Sequence, residues 1–511
     1  MITSDRMAAV DANAAALGVS QKQLMESSGN AVARAVREVA PPGAEIAVLA
    51  GRGNNGGDAF AAARFLGEAG SGAGAGAGGG GALDRDGAPD READGPASTG
   101  YDLTVYLLGR AETISTDIAR ENWDALREAG YDAREVRDSR TLDLGDPDVI
   151  VDAMLGTGVA GEPREPERTA VEAVNDSQAA VVAVDVPSGL DADTGEADLA
   201  VGADRVVTFH DQKPGLTDYP GTVEVADIGI PAAAERKVGP GDLLSIRRDP
   251  DARKGESGRV LVIGGGPYTG APALAAQASL RAGADLAFVS VPESVKTPIQ
   301  GYAEDLIVQP YDGDRLTPDR ADDLVGTAAD YDDVVVIGPG LGDAEETREA
   351  VRRFLAEFEG RAVVDADALP VVPEVDTDAT LVLTPNRHEL AELGGPDVDD
   401  LTAHADEIEA LAADLGHAVL AKAKDDVITD GETTRICTTG TPGMTVGGTG
   451  DTLAGVVAAA LATQDPIDAA CVAPYVNGRA AERLEDDLGD GLLASDLLEE
   501  IPRALWGERD E

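Results

Sequence analysis

Four stretches of this 511-residue sequence set glycine beside aspartate at spacings that suit phosphate and proton chemistry. The first is Gly443-Met444-Thr445-Val446-Gly447-Gly448-Thr449-Gly450-Asp451, with a small-residue run from Thr452 to Ala460 behind it. It reads as a glycine-rich loop feeding straight into a helix. Backbone N–H groups in such a turn, with the positive end of the helix, make a site for phosphate oxygens. A carboxylate at its end is repelled by phosphate, so Asp451 calls for a chemical reason, and a base accepting a hydroxyl proton is the obvious one. The bland alternative is a tight turn with a helix-capping aspartate. The second stretch is Gly51-Arg52-Gly53-Asn54-Asn55-Gly56-Gly57-Asp58, without the spacing of a dinucleotide fingerprint. Asparagine carbonyls with backbone carbonyls suit a hard cation or a ribose phosphate, whereas an Asn-Gly turn would explain the same residue types. The third and fourth are Asp152 to Gly158 and Asp185-Val186-Pro187-Ser188-Gly189.

Three of the four follow a short apolar run. Glu45 to Ala50 predicts a buried strand before Gly51, with a helix over Ala59 to Leu66 after Asp58. Asp148 to Val151 and Ala180 to Val184 predict strands that deliver Asp152 and Asp185. Ligands bind beyond the carboxyl ends of strands in open parallel sheets, so Asp58, Asp152 and Asp185 are expected to converge on one crevice. Met1 to Val39 carries two helical patterns, Leu103 to Leu108 a strand, and Arg205 to Phe209 another, followed by Lys213-Pro214-Gly215. Gly70 to Gly100 is low complexity and reads as a flexible insertion within the first domain. A second αβ series starts at Val260, with strands leading into Gly264-Gly265-Gly266, Gly338 to Gly342, Asp365-Ala366-Asp367 and Thr384-Pro385-Asn386. The expected division is 1–240 and 241–511. Lys422 and Lys424 flank the end of another apolar strand, where lysine suits a nucleotide phosphate and the alternative is an exposed charge.

Composition excludes several classes. With 95 acidic against 41 basic residues the formal net charge is −54, which repels nucleic acid and anionic membranes. The 43% hydrophobic content argues against a disordered acidic chain. A folded protein adapted to high salt fits better, because screening then shortens the range of self-repulsion, and the composition resembles that of halophilic archaeal proteins. No run of about twenty apolar residues predicts a membrane span, Met1 to Ser20 does not read as a secretory signal, and a cytoplasmic location is expected. Cys437 and Cys471 fit no zinc or redox spacing. No histidine stands in the Asp185–Ser188 motif to complete a triad, so carboxylates and backbone amides are expected to carry the chemistry.

In their order, these motifs resemble a known family. Gly51 to Asp58, Asp152 to Gly158, Arg164-Glu165-Pro166 and Val184 to Gly189 are similar to the N-terminal domain of NAD(P)H-hydrate epimerases. Lys254-Gly255, Gly258-Arg259-Val260, Tyr268-Thr269-Gly270-Ala271-Pro272, Gly338 to Gly342, Asp365 to Asp367, Thr384-Pro385-Asn386 with Glu389, and Gly447 to Asp451 resemble NAD(P)H-hydrate dehydratases. The resemblance implies α/β architecture throughout, with a Rossmann-like three-layer α/β/α domain followed by a ribokinase-like domain. It implies repair of nicotinamide cofactors hydrated at C6, the first domain interconverting the R and S epimers and the second dehydrating the S form with ADP and Mg²⁺. Epimerase substrate would contact Asn54, Asn55, Gly56, Gly57, Asp58, Gly156, Thr157, Gly158, Val159, Ala160, Gly161, Glu162 and Asp185, the last as acid/base. Potassium would lie near Asn55, Asp152 and Ser188. The dehydratase would bind hydrate at Ala271, Gly340, Asn386 and Asp451, and nucleotide at Lys422, Ala423, Lys424, Asp425, Asp426 and Gly450, with Asp451 as base. A homo-oligomer, tetrameric or larger, is implied as well. The rival readings are a ribokinase-like small-molecule kinase and a first domain that serves only binding or assembly.

Overall fold

The computed structural model describes residues 1–67, 100–158, 161–246, 253, 257–330 and 334–507. The expected insertion from Gly70 falls outside these residues except for Gly100; so do Val159, Ala160 and the Lys254-Gly255 pair. The chain divides into two compact units, Met1–Pro231 and Ala232–Glu511. Among the described residues no helix is long and apolar enough to cross a membrane.

The first unit is built on seven strands, β1 (Glu45–Ala50), β2 (Asp102–Leu108), β3 (Asp132–Val136), β4 (Val149–Ala153), β5 (Ala180–Val184), β6 (Arg205–Phe209) and β7 (Thr222–Ala226). They lie in the order β3-β2-β1-β4-β5-β6-β7, and every pairing is parallel. The inner strands are apolar on both faces because helices cover both. Ala47, Leu49, Ile150 and Ala183 pack with Ala170, Val171 and Val174 of helix Glu167–Asp176. Elsewhere helix Gln21–Val39 packs on helix Asn54–Leu66, whose Phe60 ring meets Trp123 at 5.3 Å. The expected three-layer α/β/α arrangement is present.

Two boundaries differ from expectation. The helix after β1 starts at Asn54, not Ala59, so Asn54 to Asp58 form its first turn rather than a loop. Strand β4 continues through Asp152 and Ala153. Its alternation brings a carboxylate into a fully buried position, which a pattern search for apolar runs stops short of.

The second unit holds a nine-stranded sheet: β8 (Arg259–Ile263), β9 (Leu286–Pro292), β10 (Ile307–Tyr311), β11 (Val334–Ile337), β12 (Arg361–Val364), β13 (Thr380–Leu383), β14 (Ala418–Ala421), β15 (Asp426–Thr429) and β16 (Thr434–Cys437). The order is β10-β9-β8-β11-β12-β13-β14-β15-β16, parallel as far as β14 and antiparallel in the last two pairings. Alternate residues divide the core. Val260, Val262, Val334 and Val336 face helices Gly270–Arg281, Thr449–Leu461 and Pro466–Leu488. Leu261, Ile263, Val335 and Ile337 face Phe354 and Leu355 of helix Glu345–Glu357.

In both sheets the strand order reverses beside the first strand, between β1 and β4 and between β8 and β11. Such a reversal parts the loops at the carboxyl edge and opens a crevice there. The small residues behind Asp451 have a packing reason. Helix Thr449–Leu461 is buried continuously from Thr452, and a Cβ on Gly455 would stand 2.1 Å from the Ala275 carbonyl oxygen. Gly455→Ala is therefore expected to force the two helices apart and to cost about 1–3 kcal/mol, the usual range for overpacking. A urea titration of the full chain checks this; an unchanged midpoint would show that the crossing yields freely.

Two candidate active sites at the carboxyl edges of the sheets

In the first unit the loops after β1 and β4 are pressed together. A Cβ on Gly51 would lie 1.9 Å from the Met154 carbonyl oxygen, and one on Gly56 2.1 Å from the Gly51 carbonyl oxygen. These glycines are needed for backbone contact. Above the joined loops is a cavity of about 660 Å³, lined by Arg52 to Asn55, Asp58, Met154 to Gly158, Asp185 and Glu167, with Asp11 and Met7 from helix Ser4–Ala16. The N-terminus of helix Asn54–Leu66 opens into it, and its N-cap, Gly53, offers no side-chain partner to the first N–H groups. Such a helix end suits anionic oxygens.

Asp185 follows β5 with φ 63°, a left-handed backbone unusual for a side-chain-bearing residue. Its Oδ1 accepts from Thr208 Oγ1 at 3.1 Å and from the Phe209 N–H at 3.3 Å, and pairs with Lys213 Nζ at 3.1 Å. Lys213 is fully buried and also donates to the carbonyls of Phe209 at 2.9 Å and Asp211 at 3.2 Å. Two further carboxyls feel this charge. Burial, then Asp185, pushes Asp11 up to about 6, against the opposing charges of Lys213 and His210. Burial raises Asp58 well above the carboxylate range, opposed by a hydrogen bond from Ser28 and reinforced by Asp185 and Asp11.

Asp152 lies behind the cavity wall rather than in it. Its oxygens accept from Ser188 Oγ at 2.5 Å, the Ser188 N–H at 2.8 Å and the Met154 N–H at 3.3 Å. Burial still pushes it up to about 6. Ser188 Oγ accepts from the Leu155 N–H at 2.9 Å, and Asn55 Nδ2 donates to the Leu155 carbonyl at 2.9 Å. The buried Oδ1 of Asn55 has no hydrogen-bond partner. Asn55, Asp152 and Ser188 thus meet around Leu155, with an unused carbonyl oxygen among them. Gly56 and Gly57 are buried within the helix, and Glu162 is turned to Arg168.

In the second unit β12, β13 and β14 deliver Asp365, Thr384 and Lys422 side by side at the carboxyl edge. Lys422 Nζ lies 2.8 Å from Asp365 Oδ1 and 4.0 Å from Glu389 Oε2, while Thr384 Oγ1 donates to Asp365 at 2.8 Å. Burial lowers the affinity of Lys422 for its proton, but Asp365 and Glu389 outweigh this and raise it. Asp451 stands half-buried in the first turn of helix Thr449–Leu461. Burial first, then Asp365, pushes it up to about 7 against the pull of Lys422. Lys422 Nζ is within 3.2 Å of where a Cβ on Gly450 would be, so only glycine leaves that approach open.

Gly448 has φ 101° and a Cβ there would strike Leu274 at 2.7 Å, whereas Gly447 is exposed and faces open space. Thr449 Oγ1 ties the loop by donating to the carbonyls of Met444 and Val446, both at 3.1 Å. Ala271 and Gly340 come together across the β8/β11 reversal, beside exposed Tyr268. Asn386 caps helix Arg387–Glu392: its Oδ1 accepts from the His388 and Glu389 N–H groups, and Glu389 Oε2 accepts from its own N–H at 2.8 Å. Only its Nδ2 amide is left for a ligand. Asp426 accepts from the Ala423 N–H at 2.8 Å and closes the turn after Lys422; burial pushes it up to about 7. Ala423 and Lys424 are exposed on that turn, followed by Asp425.

Asp11 and Ser28 stand in no motif of the sequence, and Lys213 and Asp365 are named there without a role. A signal existed for Lys213: it is one of only seven lysines in the chain, so a buried one is conspicuous.

Comparison with known proteins agrees with this division. Residues 260–503 match the NAD(P)H-hydrate dehydratase family, and residues 21–75 and 96–215 match the YjeF-related N-terminal family. The chain is 42% identical to the bifunctional NAD(P)H-hydrate repair enzyme Nnr of Pyrobaculum aerophilum, over 99% of this chain and 98% of that one. It is 38% identical to the Archaeoglobus fulgidus enzyme of the same name, with the same coverage of 99% and 98%. The solved ADP/ATP-dependent NAD(P)H-hydrate dehydratase of Bacillus subtilis, co-crystallised with ATP and Mg²⁺, is 26% identical and covers 52% of this chain and 95% of its own, with a TM-score of 0.44. By identity along nearly its whole length, the chain belongs to the family of bifunctional NAD(P)H-hydrate repair enzymes.

Proposed function

We propose that the second unit dehydrates S-NAD(P)H hydrate with ADP, using Asp451 as base, and that the first unit interconverts the R and S epimers in the cavity beside Asp185. The observation that carries the reading is Asp451 itself: a carboxyl at a helix N-terminus, next to an open glycine loop, with Lys422 reaching toward Gly450. The hydrate bears a hydroxyl on C6 of its ring. Hydroxide leaves poorly and phosphate leaves well. Asp451 takes the hydroxyl proton while the oxygen attacks the terminal phosphoryl of ADP, releasing AMP. The N–H groups from Gly448 to Asp451 face the developing negative charge. The ring nitrogen lone pair then expels phosphate, and loss of the C5 proton restores the reduced nicotinamide.

Lys422 and the turn through Ala423, Lys424, Asp425 and Asp426 would hold the nucleotide, and Ala271, Gly340 and the Asn386 amide the hydrate. Mg²⁺ would arrive with the nucleotide and offset phosphate charge. Dehydration should return absorbance at the reduced-nicotinamide band when the full chain meets S-hydrate and ADP; the same reaction run with ATP tells the two nucleotides apart. Asp451→Asn should lose on the order of 10²- to 10⁴-fold in rate, the usual worth of a general base. A base must be ionised to act, so wild-type kcat/KM should rise with pH through about 7 and the variant should be flat. A variant as fast as wild type would remove Asp451 from the chemistry.

In the first unit the substrate would lie along Asn54, Asn55 and Asp58 and the loop from Gly156, with Asp185 as acid/base. The unused Asn55 Oδ1, beside Asp152 and Ser188, suits a large cation such as potassium, whose charge would neutralise Asp152 and hold the two loops together. Exchanging potassium for a bulky organic cation at constant ionic strength should slow epimer exchange and lower the melting temperature, since a bound ion stabilises the folded state. Asn55→Leu should abolish both responses; a variant that keeps them would place the ion elsewhere.

A further inference from the structure

We propose that Asp11 is a second catalytic residue of the epimerase unit, acting as the proton donor opposite Asp185. The proposal rests on the reading of this unit as an epimerase. Epimerisation at C6 must remove the hydroxyl from one face and return it to the other, which calls for an acid and a base on separate supports. The cavity supplies them. Asp185 comes from the loop after β5, and Asp11 comes from helix Ser4–Ala16; both line the same cavity, above the loops that would take the phosphates.

Their surroundings divide the two roles. Three donors, Thr208 Oγ1, the Phe209 N–H and Lys213 Nζ, converge on Asp185 Oδ1, a set that fits an acceptor-only carboxylate and leaves Oδ2 for the ligand. Asp11 faces Asp185 and Asp58 as like charges and Lys213 and His210 as opposing ones; burial and Asp185 favour its neutral form, and it is pushed up to about 6. The carboxylate that accepts from three donors suits the base, and the carboxyl on the facing helix suits the acid.

The step balances within the site. Asp11 gives its proton to the C6 hydroxyl, the C6–O bond breaks, and water departs with the bonding pair. The ring nitrogen lone pair forms the C6=N1 iminium. Water adds to the opposite face and its proton passes to Asp185. The chain is left with Asp11 ionised and Asp185 protonated, the form that runs the opposite epimer back.

The test compares the full-length wild type with Asp11→Asn and Asp11→Glu, following exchange of separated R and S hydrates by chromatography. Asp11→Asn should slow exchange by about 100-fold or more, the lower bound for general acid catalysis. Asp11→Glu should recover part of the rate. The wild-type limb that falls as pH rises through about 6 should be absent in the asparagine variant. ADP-dependent dehydration of S-hydrate by both variants should match wild type, which separates loss of the acid from general damage. Exchange by Asp11→Asn within threefold of wild type, or equal losses in the asparagine and glutamate variants with lowered melting temperatures, would overturn the role of Asp11. A wild type no faster than buffer would instead overturn the epimerase assignment, and the role with it.

Discussion

Both sites are built on one buried or nearly buried lysine set among several carboxyls. Lys213 faces Asp185 with Asp11 close by, and Lys422 faces Asp365, Glu389 and Asp451. At about 3 Å an ion pair is worth roughly 5 kcal/mol at an effective dielectric near 20. The desolvation penalty is several kcal/mol for each ion. Summed over both ions the penalty offsets the attraction, so a buried pair of this kind is weak evidence of stabilisation. What one cation cannot do is satisfy every carboxyl around it. Burial first, then the neighbouring carboxylates, raises the proton affinity of Asp11 and Asp451 to about 6 and about 7, and the lysines offset this only in part. A chain with a formal charge of −54 has acidic groups everywhere, but salt screens those on the surface and not those at the sheet edges.

The position of each cluster follows from topology. Reversal of strand order at β1/β4 and at β8/β11 opens a crevice at the carboxyl edge. Glycines then let backbone lie against backbone: Gly51 on Met154 in the first unit, Gly455 on Ala275 in the second. Much of the glycine richness that draws the eye in the sequence thus serves packing. Gly447 and Gly450 differ, since the space around them is open except for Lys422.

The α/β alternation and both glycine–aspartate clusters were legible in the sequence because short apolar runs end where the chemistry begins. Asp185 follows such a signal directly, and Asp451 is marked instead by the glycine loop before it. Asp152 was read as the residue after a strand, yet it lies within β4, because a buried carboxylate bonded to Ser188 leaves no trace in an apolar pattern. Asn54 and Asn55 read as part of a glycine loop and form the first turn of a helix. Asn386 was read as a ligand contact, and its carbonyl is engaged in a capping box whose partner, Glu389, stands three residues on. The meeting of Asp11 and Lys213 with Asp185 was out of reach for a different reason. They approach Asp185 from a helix near the N-terminus and from a loop beyond β6, and no local spacing encodes that meeting.

The fate of one oxygen atom separates a dehydratase from a kinase. A kinase built on the same glycine loop would leave the phosphoryl group on its substrate, whereas here the C6 oxygen should depart with it. The most direct measurement uses S-hydrate carrying ¹⁸O in the C6 hydroxyl, turned over once with ADP by the full-length Asp185→Ala variant, in which the first unit should no longer exchange that hydroxyl with water, with mass analysis of the phosphate and water released. Label in the phosphate is the predicted result. Label found in water, or a phosphorylated product that persists, would contradict phosphoryl transfer to the hydroxyl beside Asp451 as the route of dehydration.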